Sequence, residues 1–467
     1  MRVPRAGKVA GIVLLLAAAA GLAAVYTRNS RDVTTSSEEA YQAWREAVEN
    51  ERRFYFKDAR VGFARALQLD PQFAMAMIGL ARNSEKEQRV SLTNRANRER
   101  GRLTDHERLH VDLMLAANDH DEAKFASIAR TIHEKYPSDI RAATVCAKLE
   151  IDAGRTERAL QIFGDLLARE PNSADAYNQI GYYYGYRGDY DKAIENIKKY
   201  QFMAPDQANP YDSLGEIMAF SGRYDEAIEN LNKALALKPD FGASYEHLGL
   251  AYEGKGDVEA AVKNYIRASE EAINDGGRIE SLMRALRVSS MAGNLPLTRQ
   301  IAERCLQMPH DRSLDPNWEV GRELIRGVVA LLEGRLDEAD KGLTVAKQKW
   351  DVLFTKNNKG TTYKPYWPYW QLMMARTRVA QGRADEAIAL YEQMVNPPNT
   401  WSDFESRRWV YEGRAALAEL VAKKGDLVRA DKLLAENHRW NPSWAPSRPA
   451  ELAVAEMHRE RVQAASR

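Results

Sequence analysis

Cysteine is nearly absent from this chain, with Cys146 and Cys305 the only two in 467 residues. That excludes a disulfide framework and any Cys-x-x-Cys metal or redox pair. Charge of one sign is lacking too. The formal net charge is +1, which gives no general attraction to a nucleic-acid backbone. No glycine-rich phosphate loop and no nucleophile elbow occurs, and His120, His133, His247, His310, His438 and His458 are scattered without a cluster. Long apolar runs are missing from all but one place. Val9 to Tyr26 carries no charge and follows Arg2, Arg5 and Lys8. At 1.5 Å per residue these eighteen residues reach roughly 27 Å, enough to cross a membrane.

The basic flank places the N-terminus of such a span on the cytoplasmic side and the rest of the chain outside the cytoplasm, periplasmic or extracytoplasmic. Gly21-Leu-Ala23 offers a cleavage site for the rival reading, a signal peptide that secretes the chain to the same side. No cysteine follows the run, which excludes a lipoprotein. An uncleaved anchor over residues 1–27 and a polar tether over 28–37 are the expectation.

What the chain has in abundance is a period. Gly154, Gly188, Gly222 and Gly256 are spaced by 34 residues, and each opens one phrase, as in Gly188-Asp-Tyr-Asp-Lys-Ala-Ile and Gly222-Arg-Tyr-Asp-Glu-Ala-Ile. Pro171, Pro205 and Pro239 follow twelve residues after the alanine. Within one unit, Tyr211, Leu214, Gly215 and Met218 share one helical face, while Ala227, Leu231 and Ala234 share another. Gly222 breaks the chain between the two helices and Pro239 ends the second. Such a pair cannot bury its own apolar stripe, so neighbours must stack on it. Cys146 and Cys305 fall on buried-face positions four repeats apart, on the order of 40 Å at helix spacings near 10 Å. A disulfide needs Cα atoms within about 7 Å, so both are core residues.

Tyr177, Ile180, Gly181, Tyr184 and Ala193 repeat the skeleton one step earlier, and Tyr245, Leu248, Gly249, Tyr252 and Ala261 one step later. At these residues the chain resembles the tetratricopeptide repeat (TPR) family. Degenerate copies extend it: Ala59 to Pro71, Asn118 to Ala123, and turns at Gly293, Gly334, Gly382 and Gly425. The expected fold is an all-α, right-handed α-solenoid of about ten TPR-like helix pairs. Degenerate pairs with a basic insertion fill 38–140, a regular array 141–275, degenerate repeats with aromatic-rich insertions 276–448, and a capping helix 449–467.

The resemblance implies that the first helix of each pair lines a concave groove. By repeat alignment its residues are Asn178, Tyr182 and Tyr186, then Asp212, Glu216 and Phe220, then Glu246, Leu250 and Glu253. TPR proteins that grip a chaperone's C-terminal carboxylate use Lys, Arg and Asn at matching places, and only Asn178 resembles that set. Residues 170–260 hold 16 acidic against 8 basic residues. A basic or apolar protein segment is therefore the expected partner, with no nucleic acid, no metal and no cofactor.

Three other patterns compete with plainer readings. His106-Glu107-Arg108-Leu109-His110 matches the H-E-x-x-H zinc motif, yet Thr104 and Glu107 also form a helix-start capping box, which explains the glutamate without catalysis. A zinc metallopeptidase on this motif is the minor alternative. Eight of nine tryptophans lie from Trp318 to Trp444. Tyr366, Trp367, Trp370, Trp401 and Trp409 form either an aromatic patch for an envelope carbohydrate or, the reading preferred here, packing that folds insertions onto the solenoid. The basic stretch Lys86 to Arg108 is read as a solvated insertion helix rather than a lipid-binding site. The functional expectation is a non-enzymatic, membrane-tethered scaffold.

Overall fold

A computed structural model of the protein describes residues 33–308, 316–356, 367–395 and 404–465. The anchor expected at 9–26 lies outside the described residues, and among the described helices none is long and apolar enough to cross a membrane. Every regular element among the described residues is a helix. Contacts divide the chain into two units, residues 1–51 with 57–119, and residues 52–56 with 120–467.

The first unit holds α1 (Glu38–Arg52, its last residue counted with the second unit), α2 (Phe56–Leu69), α3 (Ala74–Arg82), α4 (Lys86–Arg98) and α5 (Asp105–Asn118). Its core joins Ala47, Phe63, Met77, Ile78 and Val111. The Gly79 backbone lies against the Phe63 ring, where an added Cβ would stand 2.4 Å from the ring edge. The stretch expected as a basic insertion is α4, an ordinary helix packed on α3. Its arginines are used locally: Arg89 donates to Asn118 Oδ1 (3.0 Å) and Arg100 pairs with Asp112 (2.6 Å). Thr34 and Thr35, expected near the end of a tether, are instead fastened to this unit. Thr35 Oγ1 donates to Asp70 Oδ2 at 2.6 Å.

The second unit opens with α6 (Glu122–Lys135). Eight pairs follow: α7 (Ile140–Asp152) with α8 (Thr156–Arg169), α9 (Ala174–Tyr186) with α10 (Tyr190–Met203), α11 (Ala208–Phe220) with α12 (Tyr224–Leu237), and α13 (Gly242–Lys255) with α14 (Val258–Glu271). Then come α15 (Asp275–Met291) with α16 (Leu295–Leu306), α17 (Pro316–Leu332) with α18 (Leu336–Lys356), α19 (Trp367–Ala380) with α20 (Ala384–Val395), and α21 (Phe404–Lys423) with α22 (Leu427–Trp440). The last helix, α23 (Arg448–Ala465), packs on α21 and buries Ala450 and Val454.

The period is visible atom by atom. All eight phrase-opening glycines from Gly154 to Gly425 have positive φ, between 69° and 93°. After each one the next backbone N–H donates back across the turn, as Arg223 N does to Met218 O at 2.9 Å. This six-to-one bond satisfies a carbonyl the helix end leaves open. The second helices end at Arg169, Met203 and Leu237, two residues before the periodic prolines. Between the paired helices, Gly181, Gly215 and Gly249 lie so near Ile197, Leu231 and Tyr265 that a Cβ would come within 2.5–2.7 Å of each side chain. Ala227, Leu231 and Ala234 are fully buried, as their spacing predicts. Cys146 and Cys305 are buried free thiols, and burial raises their pKa values to about 11 and about 12.

One turn breaks the glycine rule. His120 stands 34 residues before Gly154 with φ of 54°, a left-handed conformation that a side chain resists by roughly 1–2 kcal/mol. Replacing it by glycine should raise stability by about 0.5–1 kcal/mol, after the added freedom of the unfolded chain is subtracted. Chemical denaturation of both forms checks this.

The chain end returns to the regular array. Trp440 lies against Gly188, Asn441 and Ser443 against Gly222, and Ala445 against Gly256, so one strap crosses three consecutive turns. Tyr224 Oη donates to Asn441 Oδ1 at 2.9 Å, and Trp444 packs on Tyr411 of α21. A Cβ on Gly222 would stand 2.8 Å from Asn441 Oδ1, whereas Gly334 faces open space at a similar φ. Gly222→Ala should therefore cost about 1 kcal/mol more than Gly334→Ala in matched denaturation experiments, the excess being the clash with the strap.

Candidate binding face

Helices α9, α11 and α13 carry the residues expected to line a groove. Their first surprise is burial. Asn178, Asp212, Glu216, Phe220, Leu250 and Glu253 are buried, and Tyr182, Tyr186 and Glu246 are half-buried. These side chains are not a solvated helix face.

The second finding is how the polar members are satisfied. Tyr182, Asp212, Glu216, Glu246 and Glu253 bond across a repeat boundary, whereas the buried Asn178 Oδ1 has no hydrogen-bond partner. Tyr182 Oη donates to Glu216 Oε2 (2.6 Å), 34 residues on. Asp212 Oδ1 accepts from Ser244 Oγ (2.7 Å) and meets His247 Nδ1 (3.0 Å). Glu246 accepts from Ser281 and Arg284, the latter at 2.8 Å. Glu253 pairs with Arg287, again 34 residues on. The repeat that stacks the helices thus also builds a polar ladder, in which carboxylates and donors of adjacent units meet.

Two rungs carry unusual electrostatics. His247 sits between Asp212 and Glu216, with Nε2 3.6 Å from Glu216 Oε1. Burial by itself pushes the imidazole pKa down, but Asp212, Glu216 and Glu246 outweigh it and raise the value to about 10. Two carboxylates thus face one imidazolium. The same surroundings raise the Tyr182 hydroxyl: burial first, then Glu216 and Asp212. The second rung is Arg287, only 1% exposed, held by Glu253 and by Glu412 from α21, with Trp409 stacked 5.1 Å from its guanidinium carbon. Glu412 is pushed up, chiefly by burial and further by Glu253. Its Oε2 and Arg287 Nε have no hydrogen-bond partner.

Sequence reasoning named the acidic half of this ladder and missed His247, Ser281, Arg284, Arg287 and Glu412. The signal for Arg287 was present: it stands one period after Glu253 with opposite charge. Glu412 had no such signal, since it comes 125 residues later along the chain.

The remaining expected sites resolve as follows. Glu107 is 1% exposed, and both its oxygens are engaged. Oε2 accepts from Thr104 N (2.8 Å) and Thr34 Oγ1 (2.7 Å), and Oε1 from Thr34 N (2.7 Å). Thr104 Oγ1 in turn accepts from Glu107 N, which completes the capping box. The Nε2 atoms of His106 and His110 are 3.2 Å apart on one helix face. Glu107 thereby serves in the helix cap, its two oxygens holding Thr104 and Thr34. Of the aromatic patch, Tyr366 and Trp401 lie outside the described residues, and Trp367 begins α19. Trp370 is buried and donates Nε1–H to Leu343 O at 2.7 Å, while Trp409 packs on Tyr369. Both serve the core.

Comparisons with known proteins agree with the repeat geometry. A TPR repeat profile matches residues 215–256, and tetratricopeptide repeat profiles match 114–180, 174–207 and 242–272. No curated protein matches the chain. Among solved structures, it is similar to a chain of the APC/C hetero-tetramer Cut9-Hcn1 at 14% identity, covering 89% of this chain and 76% of that one with a TM-score of 0.49. It is also similar to a tetratricopeptide repeat protein from Parabacteroides merdae (12% identity, 58% and 98% covered, TM-score 0.39). A third is Pseudomonas aeruginosa pilF (17% identity, 46% and 96% covered, TM-score 0.35). The helix pairs, their left-handed glycine turns and the profile matches together identify residues 114–272 as tetratricopeptide repeats.

Proposed function

We propose that this protein is a non-enzymatic scaffold that holds a protein or peptide segment on the inner face of its central repeats. Residues 9–26 tether it to a membrane, with the repeats outside the cytoplasm. The observation that carries the reading is the Tyr182–Asp212–Glu216–His247 cluster. Two carboxylates oppose a single imidazole there, beside the half-buried rings of Tyr182 and Tyr186. A basic partner segment would suit the acidic character of residues 170–260, and the tyrosine rings would give it apolar contact area. The repeats favour this use, since stacked helix pairs offer extended surface rather than a chemical centre.

The test is a pull-down from solubilised envelope extract with the full chain, beside a variant carrying Tyr186→Ala and Glu216→Gln. The account expects a partner that is retained by the parent, weakened by added salt and lost with the variant. Equal capture by both would sink this site, and no specific capture would sink the scaffold reading.

A further inference from the structure

A cavity of about 580 Å³ opens in the second unit where the last turns of α13, α15, α19 and α21 converge beneath Ala445–Ala450. Its wall is largely aliphatic, with Val258, Val288, Leu372, Val379, Leu420 and Pro446 among the lining residues. Volume and wall are those of a small-molecule site rather than a packing fault.

Its polar groups differ in what they still need. Arg287 is paired with Glu253 and Glu412, although its Nε and Glu412 Oε2 have no hydrogen-bond partner, and Lys423 is paired with Glu419 at 2.6 Å. Arg376 is different. It lines the same cavity half-buried, yet among the described residues its guanidinium makes one polar contact, to the Met291 thioether sulfur at 3.0 Å, and no ion pair. Sulfur is a weak acceptor, so the fork keeps strong donors at the edge of an apolar chamber, near enough for Glu412 to feel its charge but without an ion pair. A planar carboxylate is the group that such a fork takes in two parallel bonds.

We propose that this cavity binds an aliphatic monocarboxylate of medium chain length, with the carboxylate on Arg376 and the chain along the Val288, Leu372 and Leu420 wall. The site is separate from the Tyr182–His247 cluster and independent of the scaffold reading. It sits where the strap and α21 close on the repeats, so an occupant would tighten that closure.

Titration calorimetry of the full chain with decanoate, decanol and butyrate tests it, repeated on Arg376→Gln and on Val379→Trp, which fills the rim of the cavity. Circular dichroism melts establish that both variants fold. Expected are saturable decanoate binding, at least about tenfold weaker binding of decanol, and none of butyrate. Arg376→Gln should erase the preference for decanoate over decanol, and Val379→Trp should weaken both. Adsorption to the apolar segment 9–26 would be the same in all three proteins, so only the difference between parent and variants is read. Equal binding of decanoate and decanol by the parent, an unchanged preference in Arg376→Gln, or no saturable binding would each overturn the proposal.

Discussion

Replacing Arg287 by methionine should destabilise the second unit by about 3–5 kcal/mol, the largest single-site loss expected in the protein. Methionine fills much of the space and keeps the stack on Trp409, so the loss is electrostatic. Glu253 and Glu412, 4% and 6% exposed, would be left facing each other without their shared cation. Glu253 would keep only the Tyr265 hydroxyl, at 3.1 Å. Part of the penalty disappears if Glu412 takes up a proton, and burial already pushes its pKa upward. The variant should therefore be less impaired in acid than at neutral pH. Adding Glu253→Gln and Glu412→Gln should recover most of the loss, since neutral amides need no counter-charge. Urea denaturation followed by circular dichroism gives the free energies. Hydrogen exchange should show the opening concentrated in α13, α15 and α21, because repeat arrays transmit damage mainly to neighbours.

The second large effect is a pH dependence centred on His247. Its pKa is raised in the folded protein from an ordinary 6.5 to about 10. A group that holds its proton more tightly when folded stabilises the fold fully below its unfolded pKa. That stabilisation falls away as pH rises from about 6.5 through about 10. At 1.36 kcal/mol per unit of pKa, the full shift corresponds to about 5 kcal/mol; with the solvent screening of a side chain at 14% exposure, about 2–3 kcal/mol is expected. Lysines and tyrosines titrate near the same range, so the parent is compared with His247→Gln. The variant should be less stable at pH 6, and the two curves should converge towards pH 10. Parallel curves would mean that the imidazole is not held charged by Asp212 and Glu216.

How much of this was legible in the sequence follows from what repeats every 34 residues. The buried glycines, alanines and left-handed turns do, because each pair solves the same packing problem, and they were readable to the residue. That Asp212, Glu216, Glu246 and Glu253 fall on the first helix of each pair was readable as well. Their surroundings were not. A carboxylate on a helix face reads as solvated unless its partner is known, and the partners belong to the next repeat or, for Glu412, to a helix far along the chain. The strap from Trp440 to Ala445 was invisible for the same reason. Nothing local marks Gly188, Gly222 and Gly256 as the turns that carry it, since Gly154 and Gly334 have the same sequence context and face open space. Trp409 looked like a candidate for an exposed platform because density of aromatics does not tell burial from display.

Site-specific photo-crosslinking tests the central claim, capture of a protein segment at the inner face, most directly. A benzophenone amino acid replaces Tyr186 in one protein and the exposed residue Glu229 of α12 in another, each in the full chain in cells. A partner crosslinked from position 186, absent from position 229 and suppressed when Glu216→Gln is added, is the predicted result. Crosslinking from 229 with none from 186 would contradict the account and move recognition to the outer helices.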